Sequence, residues 1–297
     1  MSDQLKGLLI TTLGVLCVVP DALFIRLIDA DAMTVAFWRM LTSGLVILAV
    51  LFAWHGRQTA TLVLAIGRWG VVYAFFAALS ALLFVTSVKL TTVANTTIII
   101  ASMPVFAALV SWLSMGETPS RRMLWTIALV FAGLLVIGYG TIAEGQHTND
   151  GASLAGDLAA LAVSLFFAIA LTAARKARAQ SMIPALPFAY LACSLLLLPF
   201  VDPLSVPATQ WWLVALHGGF FITLSSCFLA LGPRYISSAE VALLILLESV
   251  LAPILVWWVV GEQPGYWTVI GGVLVLGVLC ISNIVALQRA RAREGSV

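Results

Sequence analysis

Ten runs of roughly twenty apolar residues follow one another along the chain, at 6–28, 32–53, 68–89, 92–115, 121–140, 152–174, 184–201, 209–232, 239–260 and 265–287. At a rise of about 1.5 Å per residue, each crosses most or all of the roughly 30 Å of hydrocarbon in a bilayer as a helix. Lipid offers no water to backbone N–H and C=O groups, so such runs are constrained to be spanning helices with short connections. Composition agrees, with 62% hydrophobic and 9% charged residues, against about 25% charged in soluble domains. A soluble protein is excluded. The net charge of +2 is too small to argue for nucleic acid as a partner. The first run follows Lys6 as a signal peptide would, but no small-x-small cleavage site precedes Arg26, so it is read as a retained helix. The longest polar connection, residues 141–152, is too short for a separate domain.

Basic residues set the orientation. With a cytoplasmic N-terminus, twelve of the fifteen fall at cytoplasmic ends: Lys6, Arg57, Arg68, Arg121, Arg122, Arg175, Lys176, Arg178, Arg234, Arg289, Arg291 and Arg293. Two, Arg26 and Lys89, fall opposite, and Arg39 lies inside a span. This bias places both termini in the cytoplasm.

The chain also repeats itself. Residues 94–117 and 239–262 both open on Ala, carry a proline (Pro104, Pro253) and close on Gly-Glu, and each closing acid (Glu117, Glu262) is followed two residues later by proline (Pro119, Pro264). Five spans per half is an odd number, so the second half starts on the opposite face of the membrane. The expected fold is an all-α membrane protein of ten helices in two inverted five-helix repeats, residues 1–145 and 146–297. That architecture places a site near the midplane, between the repeats.

Polar residues inside spans are the candidate site. Glu248 sits about halfway along the ninth run and has no acid at the equivalent position of the first repeat, where Met103 stands. A charged side chain at that depth costs roughly 3 kcal/mol on insertion scales. It either contacts a substrate ammonium or a proton, or bonds to a neighbouring helix. His217 suits a proton relay or a helix–helix hydrogen bond. Asp21 and Arg39 lie at equal distances from the first connection and are expected to pair, unless Arg39 instead takes a substrate carboxylate. Tyr73 and Ser80 are the hydroxyls expected on a pathway, while Asn95, Ser102, Tyr190, Ser225 and Ser226 read as ordinary helix contacts. Asp157 reads as an interfacial or helix-terminal acid. Pro20, Pro104 and Pro253 leave the carbonyls of Leu16, Ile100 and Ser249 without helical partners. Gly133, Gly138, Gly271, Gly272 and Gly277 permit close helix packing.

No nucleotide-binding loop and no hydrolase or metalloprotease motif occurs. The four cysteines stand singly, so no disulfide framework, metal site or cofactor is expected. A channel or an intramembrane enzyme acting on a small amphipathic metabolite remains as the alternative reading.

The ten-run layout resembles the EamA type of the drug/metabolite transporter superfamily. The paired Gly-Glu ends, Phe37-Trp38-Arg39 and the glycines Gly133 and Gly277 carry the likeness. The segment GPRYISSAEVALLILLESVLAPI, residues 232–254, is similar to the YddG-type amino-acid exporters within it. The resemblance implies a bacterial inner-membrane secondary transporter, not an enzyme, exporting amino acids, aromatic ones among them, and related metabolites by alternating access. The expected partners are that solute and the lipid bilayer, with the protein a monomer or weak homodimer. The expected substrate-binding residues are Glu248, His217, Arg39, Asp21, Tyr73 and Ser80.

Overall fold

A computed structural model describes residues 3–115, 121–143, 150–177, 179–236 and 238–294. Gly116, Glu117, Pro119 and Arg178, with the middle of the long polar connection and the expected repeat boundary, lie outside the described residues. The described residues are helical with short connections and contain no strand.

The first half consists of α1 (Asp3–Val18), α2 (Asp21–Leu27), α3 (Ala32–His55), α4 (Gln58–Ala65), α5 (Gly67–Leu90), α6 (Val93–Ile100), α7 (Met103–Met115) and α8 (Arg121–Ala143). The second half consists of α9 (Asp150–Lys176), α10 (Leu186–Leu197), α11 (Trp211–Leu216), α12 (Thr223–Leu231), α13 (Ser238–Val260) and α14 (Tyr266–Glu294). Seven stretches are long and apolar enough to cross a membrane: Leu5–Leu27, Ala32–His55, Gly67–Leu90, Val93–Ser114, Leu154–Lys176, Ile183–Phe200 and Ala208–Leu231. Within the described residues, α8, α13 and α14 contribute apolar stretches at Leu124–Gly140, Leu247–Val260 and Tyr266–Ser282.

Partners are exchanged between the halves. The most extensive helix contacts are α5 with α9, α8 with α14, α3 with α10, α1 with α12, and α7 with α9, and α6 packs on α13. Glycine lets two of these helices touch along their backbones: a Cβ on Gly271 would sit 2.8 Å from the Gly133 carbonyl. Gly272 faces Ile98, whereas a Cβ on Gly138 or Gly277 would meet nothing within 4 Å. The expectation of close packing therefore fails at those two positions.

One end of the bundle is knitted by polar bonds. Arg26 pairs with Glu262 at 2.8 Å and donates to the Thr91 carbonyl at 2.7 Å. Glu262 also accepts the Val93 N–H at 2.7 Å, satisfying a free donor at the start of α6. Lys89 donates to the Ile28 carbonyl at 3.0 Å. Asp157, two turns into α9, is buried and accepts from Thr91 and Asn95, while Thr268 donates to Asn95. Such interhelical bonds average about 0.6 kcal/mol each in a membrane protein, so the knit acts through its number of members.

Candidate functional site

Three helix irregularities converge on one cavity. The first is the gap between α1 and α2 at Val19–Pro20, where proline cannot continue the ladder. The second is the gap between α6 and α7, just before Pro104. There the Ser102 amide and hydroxyl both bond the Ile99 carbonyl, and Ser164 of α9 donates to it at 3.1 Å. The hydroxyl-bonded carbonyl is thus that of Ile99, one residue before the one expected from Pro104. The third is a π-helical turn, His217–Ile222, between α11 and α12, while α13 runs unbroken through Pro253. Val18, Asp21, Ile100, Met103 and Ile222, at the edges of these irregularities, line a cavity of about 110 Å³. Non-regular backbone is tolerated at membrane depth where it borders such a space. A volume of that size has room for several waters or part of a small solute.

The cavity wall carries Asp21, Arg39, Tyr73, Ser80, Tyr190, Ser225, Ser226 and Glu248 among apolar residues such as Phe84, Phe167 and Leu186. Five of the six residues expected to bind substrate therefore face one space. The sixth, His217, is fully buried behind Asp21 and is not part of the wall.

Asp21 is the hub. Its Oδ1 accepts from Arg39 Nε at 3.1 Å, and its Oδ2 from Arg39 Nη2 at 2.5 Å, so the expected ion pair forms in the bidentate geometry that suits guanidinium to carboxylate. His217 Nε2 lies 2.6 Å from Asp21 Oδ1. The imidazole stacks on Phe24 with centroids 5.4 Å apart, and the Arg39 guanidinium lies 5.9 Å over Phe84. Arg39 Nη1 is buried and has no hydrogen-bond partner among the described residues. Across the cavity, Glu248 makes no hydrogen bond or ion pair with a described residue. Arg39 Nη1 and the Glu248 carboxyl are thus charged groups of the site with hydrogen-bonding capacity not used by the described residues.

The π turn places His217. A Cβ on Gly218 would fall 1.9 Å from Thr42 Oγ1 and 2.8 Å from the Arg39 carbonyl, so glycine is needed for the turn to lie against α3 beside Arg39. Thr223 closes the turn by donating to the Gly218 carbonyl at 2.9 Å. Two wall residues read as ordinary helix contacts, Tyr190 and Ser226, bond each other at 2.9 Å. Their position on two different helices gave no local signal. The Gly218-Gly219 pair beside a mid-span histidine was the signal for the turn.

A helical membrane bundle with a buried, charge-lined cavity between its two halves belongs to the class of small-molecule transporters. The profile of the EamA-like transporter family matches the chain twice, over residues 5–139 and 154–284. The chain belongs to the EamA-like transporter family, whose members carry small molecules across membranes. Solved structures are similar in fold: one titled "Crystal structure of protein" shares 18% identity over 94% of this chain and 99% of that chain, with a TM-score of 0.64. No match was found among curated proteins.

Proposed function

We propose that the protein is a secondary transporter that exports amino acids, apolar and aromatic ones included, by alternating access, as the YddG-type members do. In this reading all ten apolar helices cross a bacterial inner membrane with both termini in the cytoplasm. The halves, residues 1–145 and 146–297, are inverted repeats that rock about the cavity. The reciprocal pairing of helices across the halves supports the repeat, and the twelve-to-two distribution of Lys and Arg supports the orientation.

One observation carries the substrate reading. The Arg39 and Glu248 side chains line a single cavity whose remaining wall is mostly apolar, and neither Arg39 Nη1 nor the Glu248 carboxyl is hydrogen-bonded to a described residue. That pattern complements a zwitterion with an apolar side chain. Arg39 takes the carboxylate, Glu248 the ammonium, and Tyr73 and Ser80 supply hydroxyls. Asp21 and His217 hold Arg39 in place.

Counterflow of a labelled amino acid in proteoliposomes tests the reading. Saturable counterflow is expected. Glu248→Gln should weaken uptake about 10- to 100-fold while leaving protein yield intact, since a hydrogen bond to a charged group contributes about 1.5–3 kcal/mol. Wild-type uptake in that variant would make Glu248 scaffolding. A non-saturating ionic current, or chemical conversion of the solute, would replace the reading with a channel or an enzyme.

A further inference from the structure

His217, Asp21 and Arg39 form a chain of charge in which Asp21 and Arg39 line the cavity and His217 lies behind them. The order is fixed by geometry: imidazole Nε2 on Asp21 Oδ1, then the Asp21 carboxylate on Arg39 Nε and Nη2, then Arg39 Nη1 left over. With His217 neutral, the three groups sum to no net charge. A solute carboxylate docked on Arg39 would then leave one uncompensated negative charge in a cavity with a mostly apolar wall. One proton taken up on the His217–Asp21 pair removes it. The proton comes from water reaching the cavity and goes to Nδ1 of His217, because Nε2 already carries the hydrogen it donates to Asp21 Oδ1; the resulting imidazolium is held by the Asp21 carboxylate. Resting on the transport reading above, we propose that carboxylate docking at Arg39 is linked to uptake of one proton by the His217–Asp21 pair. His217 is then a positioning residue acting through Asp21.

The surroundings leave this pair as the titrating unit on its own face of the cavity. The π turn packs on α1, α2, α3, α11 and α12. Of these, α2 presents Asp21 and α3 presents Arg39. The nearest ionisable groups along α1 and α12 are the thiols of Cys17 and Cys227, and α11 has none. Glu248 of α13 and Tyr190 of α10 share the cavity wall with Arg39, so Glu248 is the competing source of any pH dependence.

Three probes separate the two acids: L-phenylalanine, phenylpropionate, which has the carboxylate alone, and phenylethylamine, which has the ammonium alone. Binding to the full-length protein is measured between about pH 5 and 8, the window of histidine charge change, with a dye reporting protons taken up. Affinity for phenylalanine and phenylpropionate should fall as pH rises, by up to about tenfold per unit, the limit for one linked proton. Phenylpropionate should draw protons in on binding, and phenylethylamine should not. His217→Gln should bind phenylpropionate with a flat pH profile. A slope that survives in that variant, or phenylpropionate binding without proton uptake in the wild type, overturns the proposal. The wild-type measurement decides even if the variant does not fold. Loss of phenylalanine counterflow altogether would instead overturn the transport reading itself.

Discussion

Asp21→Ala removes one partner of a buried, bidentate ion pair whose side chains are 1% and 7% exposed. Arg39 would then keep a buried charge with Nε and Nη2 unpaired, beside an Nη1 that already has no partner among the described residues. Breaking such a pair costs about 3–5 kcal/mol. His217 Nε2 would lose its bond as well, a cost of about 1–3 kcal/mol of the same kind. In Asp21→Ala/Arg39→Met the buried charge is gone and the thioether fills much of the space. The double variant should therefore recover most of the loss, retaining only the deficit of about 1–3 kcal/mol at His217. Unfolding in detergent micelles, followed by the fluorescence of the ten tryptophans, measures the wild type, Asp21→Ala, Arg39→Met and the double variant. A single variant within about 1 kcal/mol of wild type would refute the buried-pair argument. So would a double variant whose loss equals the sum of the two single losses, because independent sites add and coupled ones do not.

Gly218→Ala should destabilise by about 1–3 kcal/mol, because the new Cβ meets Thr42 Oγ1 and the Arg39 carbonyl. Gly219→Ala, which meets only Val46 Cγ2 at 3.9 Å, should be neutral or stabilising by less than about 1 kcal/mol in the same unfolding assay. Asp31 caps α3 by accepting from the Met33 and Thr34 amides at 2.9 and 3.0 Å. Partial burial opposes its charge, but bonds from the Thr34 hydroxyl and these amides prevail and hold its carboxyl below the usual value. A depressed native value means the stabilisation is present above about pH 4 and is lost as pH falls further. Asp31→Ala should cost about 0.5–2 kcal/mol at neutral pH, and the gap to wild type should close when unfolding is repeated in acid.

Mid-membrane charge was the easiest part of the site to read from sequence. An ionisable residue in an apolar run is costly wherever it faces lipid, so Glu248, Asp21 and Arg39 were candidates before any contact was known. The depth argument also brought Asp21 and Arg39 together, since adjacent antiparallel helices put residues equidistant from their connection at one level. What pattern could not supply was rotation about each helix axis. Tyr190 and Ser226 face the cavity, and Asp157 turns inward to Thr91 and Asn95, yet nothing in their neighbours' hydropathy separates these from lipid-facing positions in runs that are apolar all round. The π turn at Gly218 escaped for another reason. Its cause is a contact with α3, far away in sequence, and a glycine pair alone reads as local packing.

The exchange of helix partners between halves has a consequence for biosynthesis. α1 finds its main neighbour in α12, more than two hundred residues later, and α3 finds one in α10. A nascent chain that has threaded only its first half into the bilayer therefore carries several inward faces, with Asp21 among them still lacking its His217 partner, and no surface yet made to receive them. Lipid, the insertion machinery or a holding factor must shelter these faces until translation ends. Errors that stall synthesis midway should leave a species marked for proteolysis rather than a half-built transporter.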